Sequence, residues 1–349
     1  MTSPNGESAV PSTPDGGSNE RRSDAGRLGH SSSAEFAGVS NPPTPARLTV
    51  GIVSAGRVGT ALGEALERVG HVVGAVVARS PRSRQRATQR LPESQILDLP
   101  EVVARAELLI IAVPDADIRD VVADIADSGR LRPRTLVLHT AGAHGVEILA
   151  PLTALGALPL AVHPAMTFVG SDDDTARLQQ ACFGVTAADE VGLAIASALV
   201  LEMGGEPVRI AEADRTLYHA ALAHGANHLV ALVCDAVAAM NAAIEGTAGE
   251  ASRDAATVDG NSERLAERIL APLLTAALRN VLDLGPDALT GPVARGDAGA
   301  VADHLAELRA LPGGDRPTAI AEAYRILARR AATYTDAPQP LIEVLERRE

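Results

Sequence analysis

"LTVGIVSAGRVGTALGEALERVGHVVGAVVARS", residues 48–80, decides the fold. An apolar run, "RLTVGIV", enters a glycine-rich turn, and the amphipathic stretch "RVGTALGEALERVG" follows and closes at Gly70. A second apolar run, "HVVGAVVA", comes next. The pattern predicts strand, helix and parallel strand, because short apolar runs alternate with a stripe of helical period. Between the first strand and the helix lies "SAGRVG", Ser54 to Gly59. In a dinucleotide-binding turn the first glycine permits the tight bend, the second admits the pyrophosphate, and the third lets helix and strand pack closely. Gly56 and Gly59 hold the second and third places, and Ser54 stands at the first.

Serine is small and enters turns, so Ser54, Ala55, Gly56, Arg57, Val58 and Gly59 are expected to cup a pyrophosphate at a helix N-terminus. A G-x-x-G spacing alone is weak, and its place between strand and helix gives it meaning. The competing reading is a turn that needs glycine only for packing. At the end of the second strand an acidic residue would bind the ribose of NAD, whereas arginine accommodates the extra phosphate of NADP. "VVARSPRSR" offers Arg79, Ser80, Arg82 and Arg84 and no carboxylate. That points to NADP, with NAD as the alternative, against the plainer reading of a solvated basic loop.

Working outward, residues 1–46 are rich in Ser, Gly, Pro and Asn and lack periodicity, which predicts a disordered tail. Residues 47–213 alternate strands with helices and predict an α/β domain, a Rossmann-type doubly wound parallel sheet. "ACFGVTA", "DEVGLAIASALVLEMGG" and "EPVRIA" add a last strand–helix–strand unit. After Ala213 the strand-like runs cease, so residues 214–349 are expected to form an all-helical domain. "DRTLYHAALAHGANHLVALVCDAVAAMNAAIEG" reads as one long helix capped by Asp214. A polar loop, "TAGEASRDAATVDGNSE", is expected next, then helices over 263–283, 298–310 and 316–335.

With 349 residues and a net charge of −13, the chain has room for two cores and no basic surface for nucleic acid. No membrane span or export signal is read, so a cytoplasmic protein is expected. Cys182 and Cys234 lack metal-type spacing and are expected to be buried and reduced. All 31 basic residues are arginine. Lysine chemistry is thereby excluded, and acid–base work falls to histidine, carboxylate or tyrosine.

The ordered motifs "GRVGTAL", "ELLIIAVPD", "VLHTAGAHG", "AVHPAM", "LYHAALAHGANHL" and "ALTGPVARGD" resemble a bacterial two-domain family. Its members join a Rossmann-like domain to a helical domain of unknown function. Wider relatives are 6-phosphogluconate dehydrogenase, ketopantoate reductase, prephenate dehydrogenase and pyrroline-5-carboxylate reductase. The resemblance, over about residues 47–310, implies a 6-phosphogluconate dehydrogenase C-terminal-like helical domain that builds a homodimer. It also implies an oxidoreductase acting between the domains. Two departures stand out: the chain lacks the lysine that several relatives carry on the first long helix of the second domain, and Ser54 replaces a glycine.

Ligands of doubly wound sheets sit beyond the carboxyl ends of the strands. That rule selects Val113 and Pro114, then His139 and Thr140, for the cofactor, and His163 of "AVHPAM" for catalysis. A histidine with an ordinary pKa near ~6.5 would relay a proton at neutral pH; a hydrogen-bonded structural histidine is the other reading. His219, Ala223 and Asn227 share one helix face, so His219 and Asn227 join His163 as catalytic candidates. His224 and His228 are one turn apart without an evident third ligand, so no metal is expected. Thr290 and Arg295 are candidates for binding a substrate carboxylate, against a mere turn followed by a cap at Asp297.

The expectation is an NADP-dependent oxidoreductase of a small keto or hydroxy carboxylate, with a ketopantoate reductase-like activity the first candidate. The alternatives are a non-catalytic dinucleotide sensor or regulatory subunit, and a dehydrogenase of the prephenate or pyrroline-carboxylate type.

Overall fold

The computed structural model of the protein describes residues 47–251, 264–313 and 315–347. The expected N-terminal tail lies outside them. One sheet is built from β1 (Thr49–Val53), β2 (Val72–Val77), β3 (Gln95–Ile96), β4 (Leu108–Ile111), β5 (Leu136–His139), β6 (Leu158–Pro164), β7 (Cys182–Ala187) and β8 (Glu206–Arg209). The strand order is β3-β2-β1-β4-β5-β6-β7-β8. It reverses between β1 and β4, and that switch point opens the crevice where such sheets bind ligands.

Around the sheet lie α1 (Arg57–Arg68), α2 (Pro81–Arg90), α3 (Leu99–Arg105), α4 (Ile118–Asp127), α5 (Ala150–Thr153), α6 (Asp173–Leu178) and α7 (Glu190–Glu202). Strand alternation divides the core between the two faces. Ile52, Ile110, Leu138 and Leu160 stand in register across four strands and join one apolar cluster with Leu62 and Leu66 of α1. Val53, Leu109, Ile111 and Val137 face the other way, onto Val102 of α3 and Val122 of α4. Continuous apolar strands covered on both faces are what a parallel sheet requires.

One junction departs from the parallel reading: β6 and β7 are antiparallel, with His163 opposite Gly184. The chain reverses just past β6, where the Ala165 amide donates to the Cys182 carbonyl at 2.9 Å. No helix carries it across the sheet there, because the six-residue α6 stays on the side of α1. The short elements β3 and α6 escaped the sequence reading, having too few residues to show a period.

The second part is helical: α8 (Arg215–Ala251), α9 (Leu265–Leu284), α10 (Ala298–Ala310), α11 (Arg316–Ala332) and α12 (Gln339–Glu346). Helix α8 continues through the first five residues of the stretch expected to be a loop, where Thr-Ala-Gly-Glu-Ala still includes good helix formers. Asp214 belongs to a single tight turn, Glu212–Asp214, that runs directly into α8. Asp297 does cap α10, accepting from the Ala300 amide at 3.0 Å. Val301, Leu305, Ala328, Leu341 and Leu345 form a third, separate core among α10, α11 and α12.

Helix α8 itself is thinly covered. Among its described side chains only Arg215 is buried. Contrary to the sequence reading, the segment Glu212–Glu245 is long enough to cross a membrane and holds an 18-residue window with a mean hydropathy of 1.5, apolar enough by composition to do so. Its alanines raise the average even though histidine, asparagine and aspartate interrupt the apolar run. Both cysteines are exposed rather than buried: Cys182 begins β7 beside Glu206, and Cys234 lies on the uncovered α8.

Candidate functional site

Ser54, directly after β1, has a φ of 83°, the left-handed conformation that glycine adopts without strain. The serine therefore makes the bend that its glycine counterpart would make, at a cost in backbone energy. Gly56 then caps α1 in an extended conformation, with no side chain satisfying the first amides of the helix. Those amides and the positive end of the helix dipole form a seat for an anion. A Cβ on Gly56 would meet nothing nearer than the Ser54 hydroxyl at 3.5 Å, so the glycine leaves open space. A Cβ on Gly59 would lie 2.4 Å from the Ser54 carbonyl, so that glycine is required by packing.

Two arginines flank this seat. Arg86 reaches back to the Ala55 carbonyl at 3.4 Å, and Arg57 donates to the Phe168 carbonyl at 3.2 Å. Burial lowers the pKa of Arg86, and repulsion from Arg57, Arg82 and Arg90 lowers it further. Such a concentration of cations favours an anionic ligand. Arg79, Ser80 and Arg82 are exposed at the end of β2, but the Ser80 hydroxyl is engaged as the cap of α2, accepting from the Ser83 amide at 3.0 Å. Arg79 and Arg84 also border a 490 Å³ cavity with Val77, Leu97 and Asp98. These residues fit a phosphorylated dinucleotide: open glycine, free helix amides and clustered guanidinium groups.

The structure brings His163, His219 and Asn227 together around one cavity of 320 Å³, with Met166, Thr167 and Leu222. It also adds partners that the sequence reading missed. Tyr218 Oη lies 3.0 Å from His163 Nδ1, and the rings meet edge to face. A Cβ on Gly184 would come within 2.7 Å of the Tyr218 hydroxyl, so this bare position on β7 makes room for the phenol. A Cβ on Gly142 would similarly strike His219 at 2.7 Å and His163 Nε2 at 3.1 Å. Behind them Arg215 is buried: Nε donates to Thr186 Oγ1 at 2.7 Å, and Nη2 donates to the carbonyls of Ala161 and Gly184 at 2.9 and 3.0 Å. The segment "RTLYH" held a usable signal, since a lone cation one turn before His219 in an apolar helix needs a reason to be there.

Burial pushes the His163 pKa down to about 4, assisted by the nearby His219 and Arg215. The ordinary value expected from sequence is thus corrected: the imidazole is neutral at physiological pH. His139 is also held at about 4, chiefly by burial. Its Nε2 lies 2.8 Å from the Gly145 carbonyl and its Nδ1 accepts from the Ala141 amide, so it shapes the loop after β5. Thr140 is buried beside it. Val113 is half-buried and Pro114 exposed after β4, at the switch point, and Asp115 follows with one buried carboxylate oxygen unpartnered among the described residues.

Thr290 and Arg295 are exposed and do not line the cavity of their own chain. Their turn is anchored by Val293, which borders a groove beside Asp235 of α8. Sixteen residues separate His219 from Asp235, about 24 Å along a helix. His224 and His228 pair with each other at 2.8 Å, and no group of three or more metal-ligating side chains occurs among the described residues.

Residues 36–164 match the Rossmann-like domain family, and residues 181–331 match a domain of unknown function, DUF2520. The chain is a Rossmann-like domain joined to a DUF2520 domain. No curated protein matches it. A presumptive NADP oxidoreductase from Bacteroides fragilis is similar in structure, at 22% identity and a TM-score of 0.63, covering 82% of this chain and 98% of the other. Protein TM1727 of Thermotoga maritima aligns at 22% identity and 0.54 over 82% and 98%. An imine reductase of Pseudomonas sp. aligns at 17% identity and 0.54 over 86% and 100%. These likenesses establish the shared fold. Within it, the Rossmann-like domain supplies the anion seat and His163, and the DUF2520 domain supplies Tyr218, His219 and Asn227 at the start of α8.

Two outcomes are expected. Gly56→Ala keeps the thermal midpoint within a few degrees but abolishes its rise with NADPH, whereas Gly59→Ala lowers the midpoint itself by several degrees. Thermal scans with and without NADPH check this, and equal behaviour of the two variants refutes it. Second, His139 and His163 bind protons more weakly folded than unfolded, so the stability they permit is complete above about pH 6.5 and declines as pH falls toward about 4. Each contributes up to about 1.4 kcal/mol per pH unit in that window. Denaturant titrations at pH 7 and pH 5 should show a smaller acid loss in His139→Asn than in the wild type.

Proposed function

We propose that this chain is an NADP-dependent oxidoreductase that reduces the carbonyl or imine group of a small substrate. The observation that carries the reading is the link between the helix N-terminus at Gly56 and a cavity walled by His163, His219 and Asn227: Arg57, the first residue of α1, donates to the carbonyl of Phe168, next to Thr167 of that cavity. When bound, the dinucleotide supplies hydride. The residues of this chain do the rest: free amides of α1 hold the pyrophosphate, Arg79, Arg82 and Arg86 receive the additional phosphate, and His163 meets the heteroatom of the substrate. Asn227 is placed to orient the substrate by hydrogen bonding, and Met166 and Leu222 exclude water. The Bacteroides NADP oxidoreductase and the Pseudomonas imine reductase, similar in structure, support the same class of chemistry. Ketopantoate is the first substrate to test, followed by other 2-oxo acids and cyclic imines.

Binding of a substrate carboxylate by Thr290 and Arg295 requires a second copy of the chain. Helix α8 exposes Leu217 and Val230, and α9 exposes Leu273 and Leu282, the last at 77%. Faces this apolar call for a covering partner. A two-fold axis crossing α8 near Asn227, midway between His219 and Asp235, would bring the partner's Val293 end beside this chain's His219. The reading therefore includes a homodimer whose cleft is completed across the two-fold.

A panel of 2-oxo acids and imines, followed through NADPH oxidation, tests the activity. His163→Ala should lower kcat/KM by about 10²–10⁴-fold while leaving NADPH affinity within about twofold. A wild type inactive on the whole panel counts against an enzyme and favours a dinucleotide sensor. Light scattering should give twice the chain mass, and Leu273→Asp with Leu282→Asp should give single chains. A wild type that is monomeric at micromolar concentration rules out the shared cleft.

A further inference from the structure

We propose that Tyr218 is the proton source of the reaction, delivering its proton through the neutral imidazole of His163, with the buried Arg215 guanidinium as counter-charge to the phenolate that results. This rests on the oxidoreductase reading above and assigns its acid. Three observations carry it. The Tyr218 hydroxyl and His163 Nδ1 are 3.0 Å apart, within hydrogen-bond distance, with Gly184 leaving the phenol its place. The opposite nitrogen, Nε2, lies toward Gly142 and the His219 ring at the head of the cavity. Arg215 sits 5.8 Å from the centre of the Tyr218 ring, buried, with no carboxylate within ion-pair distance and with Nη1 unpartnered among the described residues.

The nearest acidic side chain along the sequence on the N-terminal side, Asp214, and the next, Glu212, do not neutralise it by contact. The Glu212 carboxylate is occupied by the amides of Val146 and Glu147, at 2.8 and 3.2 Å. A buried cation of this kind favours an anion beside it, and the phenolate is the one the site can make.

A neutral imidazole has no surplus proton, so it can donate from one nitrogen only if it gains a proton at the other. The step balances as follows. The substrate carbon accepts hydride, and its heteroatom takes the Nε2 proton as the N–H bond breaks and an O–H or N–H bond forms. Nδ1 takes the Tyr218 proton, leaving phenolate against Arg215 and a neutral imidazole in its other tautomer. Return of the Nδ1 proton to the phenolate, with uptake of one proton from water at Nε2, restores the starting state. The charged and titratable groups facing this pair are Arg215 and His219 from α8, Cys182 from β7, Asp115 from the turn after β4 and His139 from β5, and Glu212, from the turn before α8, acts on Arg215 from a distance. Burial raises the Tyr218 pKa and Arg215 draws it back, so the phenol begins protonated.

The spectroscopic arms of the test need no substrate. With three tyrosines and no tryptophan in the chain, the ionised-phenol absorbance is readable in a background lacking Tyr324 and Tyr334. Arg215→Gln should raise the Tyr218 midpoint by at least about one pH unit, while Arg215→Lys, which loses the fork but keeps the charge, should raise it clearly less. A purely structural Arg215 would not separate Lys from Gln. Nitrogen-15 spectra of labelled histidine should place the His163 proton on Nε2 in the wild type and show mixed tautomers in Tyr218→Phe, which keeps the ring and the fold. An unchanged tautomer in Tyr218→Phe, or its turnover at the wild-type rate on an accepted 2-oxo acid, overturns the relay while the oxidoreductase reading stands. Absence of NADPH binding by the wild type removes that reading instead.

Discussion

Everything at the cleft depends on how the first turn of α8 is fastened to the sheet. Arg215 reaches into the end of the sheet and is held by the carbonyls of β6 and β7 and by a threonine hydroxyl on β7. It crosses the one antiparallel junction, where His163 and Gly184 stand opposite each other. Three directed hydrogen bonds from a rigid guanidinium fix both position and rotation of the helix start. The next turn then has no freedom: Tyr218 falls into the place left by Gly184, and His219 lies over Gly142. A charge buried without a carboxylate is expensive in a core. Its presence beside the His163 cavity, rather than elsewhere in this domain, fits an electrostatic task.

The other end of the cleft obeys a different constraint, the close approach of α1 to β1. Ser54 turns the chain in a conformation unusual for serine, and Gly59 accepts the Ser54 carbonyl against its bare Cα. The helix amides therefore emerge at the switch point between β1 and β4, beside Arg57 and Arg86. One sheet thus places an anion seat and an imidazole cavity along the same edge. The order of the strands dictates this arrangement, and the side chains only elaborate it.

Much of the fold was legible in the sequence, because long apolar periods leave little choice. β1, α1, β2 and the boundaries of α10 follow from pattern alone, and Asp297 announced itself as a cap. What escaped was either short or tertiary. β3 and α6 contain too few residues to display a period, and the reversal at β6 shows only in its hydrogen bonds. The candidate histidines could be found from strand ends and a shared helix face. Tyr218, Arg86 and Asp115 could not, since their meaning comes from chain segments distant in sequence, and Arg215 showed only as a cation out of place in an apolar helix. The lowered His163 pKa belongs to the same class, being a property of burial and of neighbours on another element. Thr290 and Arg295 show the converse: a plausible local motif that its own chain carries away from the cavity.

The central claim is that the turn at Gly56 and the arginines around it hold a phosphorylated nicotinamide dinucleotide in front of His163. Calorimetric titration of the purified wild-type chain with NADPH and, separately, with NADH tests it most directly. The account predicts one NADPH per chain, bound at least about tenfold more tightly than NADH, a difference of about 1.4 kcal/mol. No binding of either dinucleotide at millimolar concentration would contradict it.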